Sequence, residues 1–278
     1  MTRLITEWIK DIDDTVNTWN STLEKITGMD LSALAAKAAD MSEMEIKKYC
    51  DSIRVAVVPV TSGEGIIGTF SESVASIVRA AGFQAFVTDE TDVAGVYEAH
   101  KKGAGMIVSA DDSRYIALNI ENGGIGENDI ATARGYIEAL EGMNRQKTGE
   151  DLADKEVLLL GYGRVGKQMR RYLQEKGARV TVYDSSEERQ HEADADSVAW
   201  VNTAEVIKNF RLIIDATNTG PWITPDMLRE DALFSSPGIP FSLDKKTCEF
   251  FEGQYVHDAL EIGTAVMIAL AAKGKNDE

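Results

Sequence analysis

Histidine and cysteine are scarce, with three of the first and two of the second in 278 residues. His100, His191 and His257 form no ligand cluster, and Cys50 and Cys248 lack metal-ligand spacing, so no metal site is expected and both thiols are expected to be reduced. Positive charge is also short: 29 Lys and Arg stand against 46 Asp and Glu, a net charge of -17. Such a surface repels nucleic-acid phosphates and anionic membranes, so neither is expected as a partner. No stretch approaches a membrane span, and the opening MTRLITEWIKDIDD lacks an apolar signal core, which predicts a cytoplasmic protein. A Ser/His/Asp order, a P-loop, an internal repeat and low-complexity sequence are all missing.

What is there is organised around residues 158–184, LLLGYGRVGKQMRRYLQEKGARVTVYD. A short apolar run, of the kind buried on both faces of a parallel sheet, enters Gly161-Tyr162-Gly163-Arg164-Val165-Gly166. A basic-faced helix follows, stopped by Gly177, and a second apolar run ends in Asp184. Each part suits a dinucleotide. Gly161 makes the tight turn, Gly163 admits a pyrophosphate to the backbone, and Gly166 lets helix and strand pack closely. Asp184 falls about 20 residues on, where a carboxylate accepts from the adenosine ribose diol and repels a 2′-phosphate. The expected cofactor is NAD rather than NADP.

The rest of the chain reads as α/β. Residues 1–52 are a small helical segment, with Asp30 and the Ser42/Glu45 pair as helix caps and Trp8 and Trp19 as core or interface anchors. Residues 53–150 show a βαβαβ rhythm: strands at 55–59, 83–88 and 105–109, helices at 66–81 and 93–102. The glycine-rich 61–65 loop and Asp111-Asp112 would open onto the carboxyl edge of that sheet, where ligands collect. A long helix from Asn128 to Met143 and a polar linker at 147–155 lead to residues 151–278, read as a C-terminal Rossmann domain facing the first α/β domain. Strands at 212–215, 232–235 and 255–258 and a closing helix at 261–272 complete it.

In a Rossmann arrangement, the loops bearing Thr217, Asn218, Pro237 and Ile239 line the nicotinamide half of the cofactor. Pro237-Gly238-Ile239-Pro240 can equally be a rigid turn. Hydride loss from a carbon bearing an amine needs that amine held in place and neutral, and a carboxylate near the cleft can bind the ammonium and accept a proton. Asp111, Asp112 and Asp258 each close or follow a strand at the right edge, though any of them can simply cap a turn. The residues alone leave open an NAD-dependent amino-acid or imino-acid dehydrogenase and a non-catalytic NAD-binding sensor.

The segment VPVTSGEGIIGTFSES, from Val58 to Ser73, resembles pyrrolysine synthases. Thr88-Asp89, Ala110-Asp111-Asp112, Gly161 to Gly166, Ser236-Pro237-Gly238-Ile239-Pro240 and Ile262-Gly263-Thr264-Ala265 agree in order. The resemblance implies NAD-dependent oxidation of the terminal amine of a lysine–methylornithine isopeptide, release of ammonia and closure of a pyrroline ring. It implies a homodimer acting on a small molecule. By position it implies that Leu4, Ile5, Phe70, Ser71, Asn128 and Ile262 contact substrate, with Asp111 and Asp258 as the binding and catalytic carboxylates. Asp258 stands where the family has a glutamate, one methylene shorter.

Overall fold

The computed structural model describes residues 4–274. Four helices come first: α1 (Thr6–Ile9), α2 (Ile12–Thr27), α3 (Leu31–Ala38) and α4 (Glu43–Ser52). Asp30 caps α3 by accepting from the Ala33 amide, and Ser42 with Glu45 forms a reciprocal capping box on α4. Then follow β1 (Arg54–Val57), α5 (Phe70–Ala80), β2 (Gln84–Val87), α6 (Asp92–Lys101), β3 (Met106–Ala110), β4 (Tyr115–Asn119) and β5 (Ile125–Glu127). Helix α7 (Asn128–Thr148) leads to β6 (Glu156–Leu160), α8 (Arg164–Glu175), β7 (Arg179–Tyr183), α9 (Glu187–Ala195) and β8 (Ala199–Val201). The chain ends with β9 (Leu212–Asp215), β10 (Leu233–Ser236), α10 (Lys245–Phe250), β11 (Tyr255–His257) and α11 (Glu261–Lys273).

These elements form two compact units, divided differently from the expected 1–52, 53–150 and 151–278. One holds Met1–Glu24, Met29–Gly135 and Ala259–Glu278, and the other Lys25–Gly28 and Tyr136–Asp258. The boundary therefore falls within α7, which runs on to Thr148 into the stretch expected to be a linker.

In the first unit the sheet order is β2-β1-β3-β4-β5. The three expected strands are parallel, but β4 and β5 return antiparallel, where the sequence reading saw no strand. β4 alternates in burial and follows a tight turn at 111–114, closed by Asp111 N donating to Arg114 O at 2.8 Å. Helix α5 starts only at Phe70, not at 66, because Thr69 takes a left-handed conformation that breaks the helical run. Helix α11, expected to close the Rossmann half, belongs to this first unit. It is buried on nearly every side and is the unit's central apolar rod. Gly126 and Gly135 make room for it: a Cβ on Gly126 would meet the Met267 carbonyl, and one on Gly135 the Ile262 side chain.

In the second unit all strands are parallel in the order β11-β10-β9-β6-β7-β8. This is a doubly wound Rossmann sheet, whose strand order reverses between β6 and β9. The expected strands recur, with β8 and the short helix α10 in addition. Residues expected to be helical at 203–209 form a 3-10 turn, Ala204–Asn209. Leu158, Leu160, Ile213, Ile223 and Phe234 lie in one apolar cluster of the second unit. No described helix is long and apolar enough to cross a membrane.

Candidate active site

The second unit builds its site at the carboxyl end of β6. Gly161 adopts a left-handed φ of 88° and donates to the Tyr183 carbonyl at 2.8 Å, which turns the chain sharply beside β7. A Cβ on Gly166 would run into the Gly161 carbonyl oxygen, so only glycine lets α8 sit this close to the turn. Gly163, by contrast, has nothing within 4 Å of where its Cβ would be. Gly163 is also the N-cap of α8, with no side chain capping it and no acid in the first turn. A helix N-terminus, its dipole and open space therefore coincide where a pyrophosphate would approach. The residues fit a dinucleotide.

Tyr162 turns inward and is fully buried, its hydroxyl donating to Asp196 Oδ2 at 2.7 Å. Burial, with Asp196 beside it, pushes its phenol up to about 12. Its backbone amide donates to Asp184 Oδ2 at 2.7 Å, while Ser186 N donates to Asp184 Oδ1 at 2.9 Å. Arg164 is exposed and Val165 half-buried in the first turn of α8.

Beyond β9 and β10, Thr217, Asn218, Pro237 and Ile239 lie on loops gathered around Asp215, a residue the sequence reading treated only as a strand end. Its carboxylate accepts from Thr217 N and Oγ1 and from the hydroxyls of Ser236 and Ser242. The signal available was an acid at the carboxyl end of an apolar strand, three serines and threonines within reach in the fold but scattered in sequence. Asp258 is buried, and its main chain is clamped by Tyr136, whose hydroxyl donates to Asp258 O at 3.2 Å and accepts from Asp258 N at 3.3 Å. Next to it, His257 stacks on Phe241 with ring centroids 3.8 Å apart, and its Nδ1 lies 2.9 Å from the Ser236 carbonyl. Burial lowers the imidazole to about 4, so it is neutral near pH 7.

The first unit gathers most of the expected substrate residues in a second cluster. Phe70 packs edge-on against Tyr115 at 5.5 Å, and the buried Tyr115 hydroxyl shares a 2.8 Å hydrogen bond with Thr264 Oγ1. Thr132 donates to Asn128 Oδ1 at 3.3 Å, and a Cβ on Gly263 would sit 3.0 Å from that same oxygen. Asn128, Gly263 and Thr264 thus share one corner with Ile262, which is fully buried. Ser71 is buried in the first turn of α5. Ile5 is exposed at the start of α1, and Thr6 lies against Gly68 in the approach to Phe70. Leu4, half-buried, precedes them.

Asp111 does cap a turn: its Oδ1 accepts from Ser113 N and Arg114 N, both at 2.7 Å. Those backbone bonds hold its carboxyl below the usual range. It is exposed and anionic. Asp112 Oδ2 accepts from Glu64 N at 2.8 Å, which ties the glycine-rich loop to this turn. Glu261, absent from the sequence reading, is a further buried carboxylate, accepting from Ala259 N and Leu260 N. Both described cysteines are free, and no group of three His, Cys, Asp or Glu among the described residues could hold a metal.

Residues 8–126 match the N-terminal domain of pyrrolysine biosynthesis protein PylD. Residues 128–232 match the NAD-binding domain of D-isomer specific 2-hydroxyacid dehydrogenases. Pyrrolysine synthase of Methanosarcina acetivorans is 31% identical over 268 residues, 96% of this chain and 98% of that one. The chain belongs to the pyrrolysine synthase family. The Methanosarcina barkeri member is 33% identical over 249 residues, 90% of each chain. Among solved structures, shikimate 5-dehydrogenase from Thermus thermophilus, in complex with NADP(H) and shikimate, aligns with a TM-score of 0.50 at 15% identity. It covers 81% of this chain and 95% of that one, a likeness of fold alone. As a member of this family with an NAD-binding dehydrogenase domain, the chain is an oxidoreductase whose cofactor is NAD.

Proposed function

We propose that the chain is a pyrrolysine synthase acting on a lysine–methylornithine isopeptide. One observation carries the reading. The similarity to two pyrrolysine synthases runs through 90% or more of the chain. An NAD-binding half alone is shared by many dehydrogenases, whereas the first unit is where substrate identity is written.

Bound NAD supplies a hydride acceptor. The terminal ammonium of the isopeptide must first lose a proton, and removal of a hydride from its carbon then leaves an iminium. The α-amine attacks that carbon, ammonia leaves, and loss of the remaining protons gives the cyclic imine. In total the diammonium substrate yields the pyrroline, one ammonium, two protons and a hydride. Asp111 and Asp258 are the carboxylates assigned to bind the ammonium and take its proton. Asp111 suits the binding role, since its backbone bonds keep it charged. Asp258 suits proton transfer, because it is buried and its backbone is held from both sides by Tyr136. Phe70, Ser71, Asn128 and Ile262 are assigned to the isopeptide body, with Leu4 and Ile5 at its end. The active form in this reading is a cytoplasmic homodimer.

Incubation with NAD and the synthetic isopeptide tests it, following NADH by absorbance and product by mass. NADH formation with a product lighter by ammonia and two hydrogens is the expected result. Binding of NAD with no turnover of the isopeptide, but turnover of another amino acid, would replace the substrate and leave the dehydrogenase.

A further inference from the structure

Asp215 is fully buried at the end of β9. Oδ1 accepts from Thr217 N at 2.9 Å and Thr217 Oγ1 at 2.7 Å, and Oδ2 from Ser236 Oγ at 2.9 Å and Ser242 Oγ at 2.6 Å. Ser236 Oγ in turn accepts from Gly238 N at 3.0 Å. A Cβ on Gly238 would run into the Thr217 carbonyl oxygen. The two loops that follow β9 and β10 are therefore fastened together at one buried carboxyl group. Such a group is costly to remove from water, and burial raises its pKa despite the four donors. An apolar residue would end the strand at less cost. What the carboxyl group returns is the mutual position of the loops.

That position matters because of where Asp215 stands. It is in register with Leu160 of β6, and Ala216 N donates to Leu160 O at 2.7 Å, so it marks the point where strand order reverses. A dinucleotide crosses the sheet edge there. Asp184 on the β7 side takes the adenosine ribose, which leaves the β9 and β10 loops to the nicotinamide half. We propose that Asp215 is a positioning residue for that half of NAD, setting the 217–220 and 237–240 loops without itself touching the cofactor. The inference rests on NAD as cofactor and is independent of which amine is oxidised.

The test is calorimetric titration of the whole protein with ADP and with NAD, in wild type, Asp215→Asn and Ser236→Ala. Asparagine keeps the shape but exchanges one accepting oxygen for a donor, so it cannot accept from both loops. The ADP affinity should stay within about twofold of wild type, while that for NAD falls about tenfold in Asp215→Asn, the effect of a lost charge-assisted hydrogen bond. Ser236→Ala removes one of the four bonds to Asp215 together with the Gly238 anchor, leaves those from Thr217 and Ser242, and should show a smaller loss in the same sense. If Asp215→Asn does not fold, Ser236→Ala decides the matter by the same comparison. Parallel weakening of ADP and NAD would make the residue merely structural, and unchanged NAD affinity would also overturn the proposal.

Discussion

The carboxylate of Asp184 accepts a hydrogen bond from the backbone amide of Tyr162 at 2.7 Å, so the end of β7 is bonded directly to the glycine-rich turn after β6. An ionised carboxylate has about four lone-pair sites, and Tyr162 N and Ser186 N use one on each oxygen. In the proposed reading the remaining sites take the ribose diol. Asp184→Arg should therefore lose both the diol contacts and the turn's anchor. A drop of at least about tenfold in NAD affinity is expected, from charge-assisted bonds worth about 1.5–3 kcal/mol, and NADP should gain relative to NAD. Titration with the two cofactors reads both, and unchanged NAD binding would remove Asp184 from the site.

Two glycines of the same turn should separate binding from folding. Gly163→Ala places its methyl in space that no protein atom occupies, at an ordinary negative φ. Its thermal unfolding should match wild type while NAD affinity falls. Gly166→Ala drives a methyl into the Gly161 carbonyl oxygen and should cost about 1–3 kcal/mol of stability, as overpacking does. Reversed effects would mean that the pyrophosphate does not approach Gly163.

The second unit was legible because its parts are local. Strand, turn, helix and terminal acid sit within one short stretch, and each glycine has a reason that neighbouring residues supply. Helix caps at Asp30 and Ser42 were equally readable for that reason. The β4 and β5 strands were not, since they are short and antiparallel in a chain whose rhythm announced crossovers. Nor was the destination of α11. A helix that is apolar all round must be buried, but its sequence carries no polar face to say against which sheet. The corner that holds the proposed substrate residues suffered likewise: Phe70 meets Tyr115, and Tyr115 meets Thr264, across separations that no spacing rule spans.

Lys176 Nζ lies 2.7 Å from Glu138 Oε1 and 3.2 Å from Glu141 Oε2, and both carboxylates are almost wholly buried. Tyr172 also donates to Glu138 Oε1, at 2.7 Å. Lys176→Met would keep the packing of the stem and leave two buried anions without that cation. A loss of about 3–5 kcal/mol is expected, the size seen when one member of a buried pair is removed. Adding Glu138→Gln to it should recover part of the loss. Urea unfolding of the single and double variants checks both statements, and full additivity of two losses would dissolve the proposed pairing.

His257 should make the second unit sensitive to mild acid. Its Nδ1 faces the Ser236 carbonyl, which can only accept, so Nδ1 carries the proton of a neutral ring. Burial lowers the folded-state value to about 4 from 6.5. The unfolded chain therefore takes up a proton that the native chain refuses. The stabilisation is fully present above pH 6.5 and is lost as pH falls toward 4. At about 1.4 kcal/mol per pKa unit, the whole window is worth roughly 3 kcal/mol. His257→Phe keeps a ring against Phe241 but cannot titrate. It should be less stable than wild type at neutral pH, through the lost bond to Ser236 O, and close the gap or overtake wild type as pH approaches 4. Measuring both proteins at each pH cancels the carboxylates that titrate in the same range. A difference in unfolding free energy that stays constant from pH 7 to pH 4 would show that His257 takes up its proton alike in the native and unfolded chains.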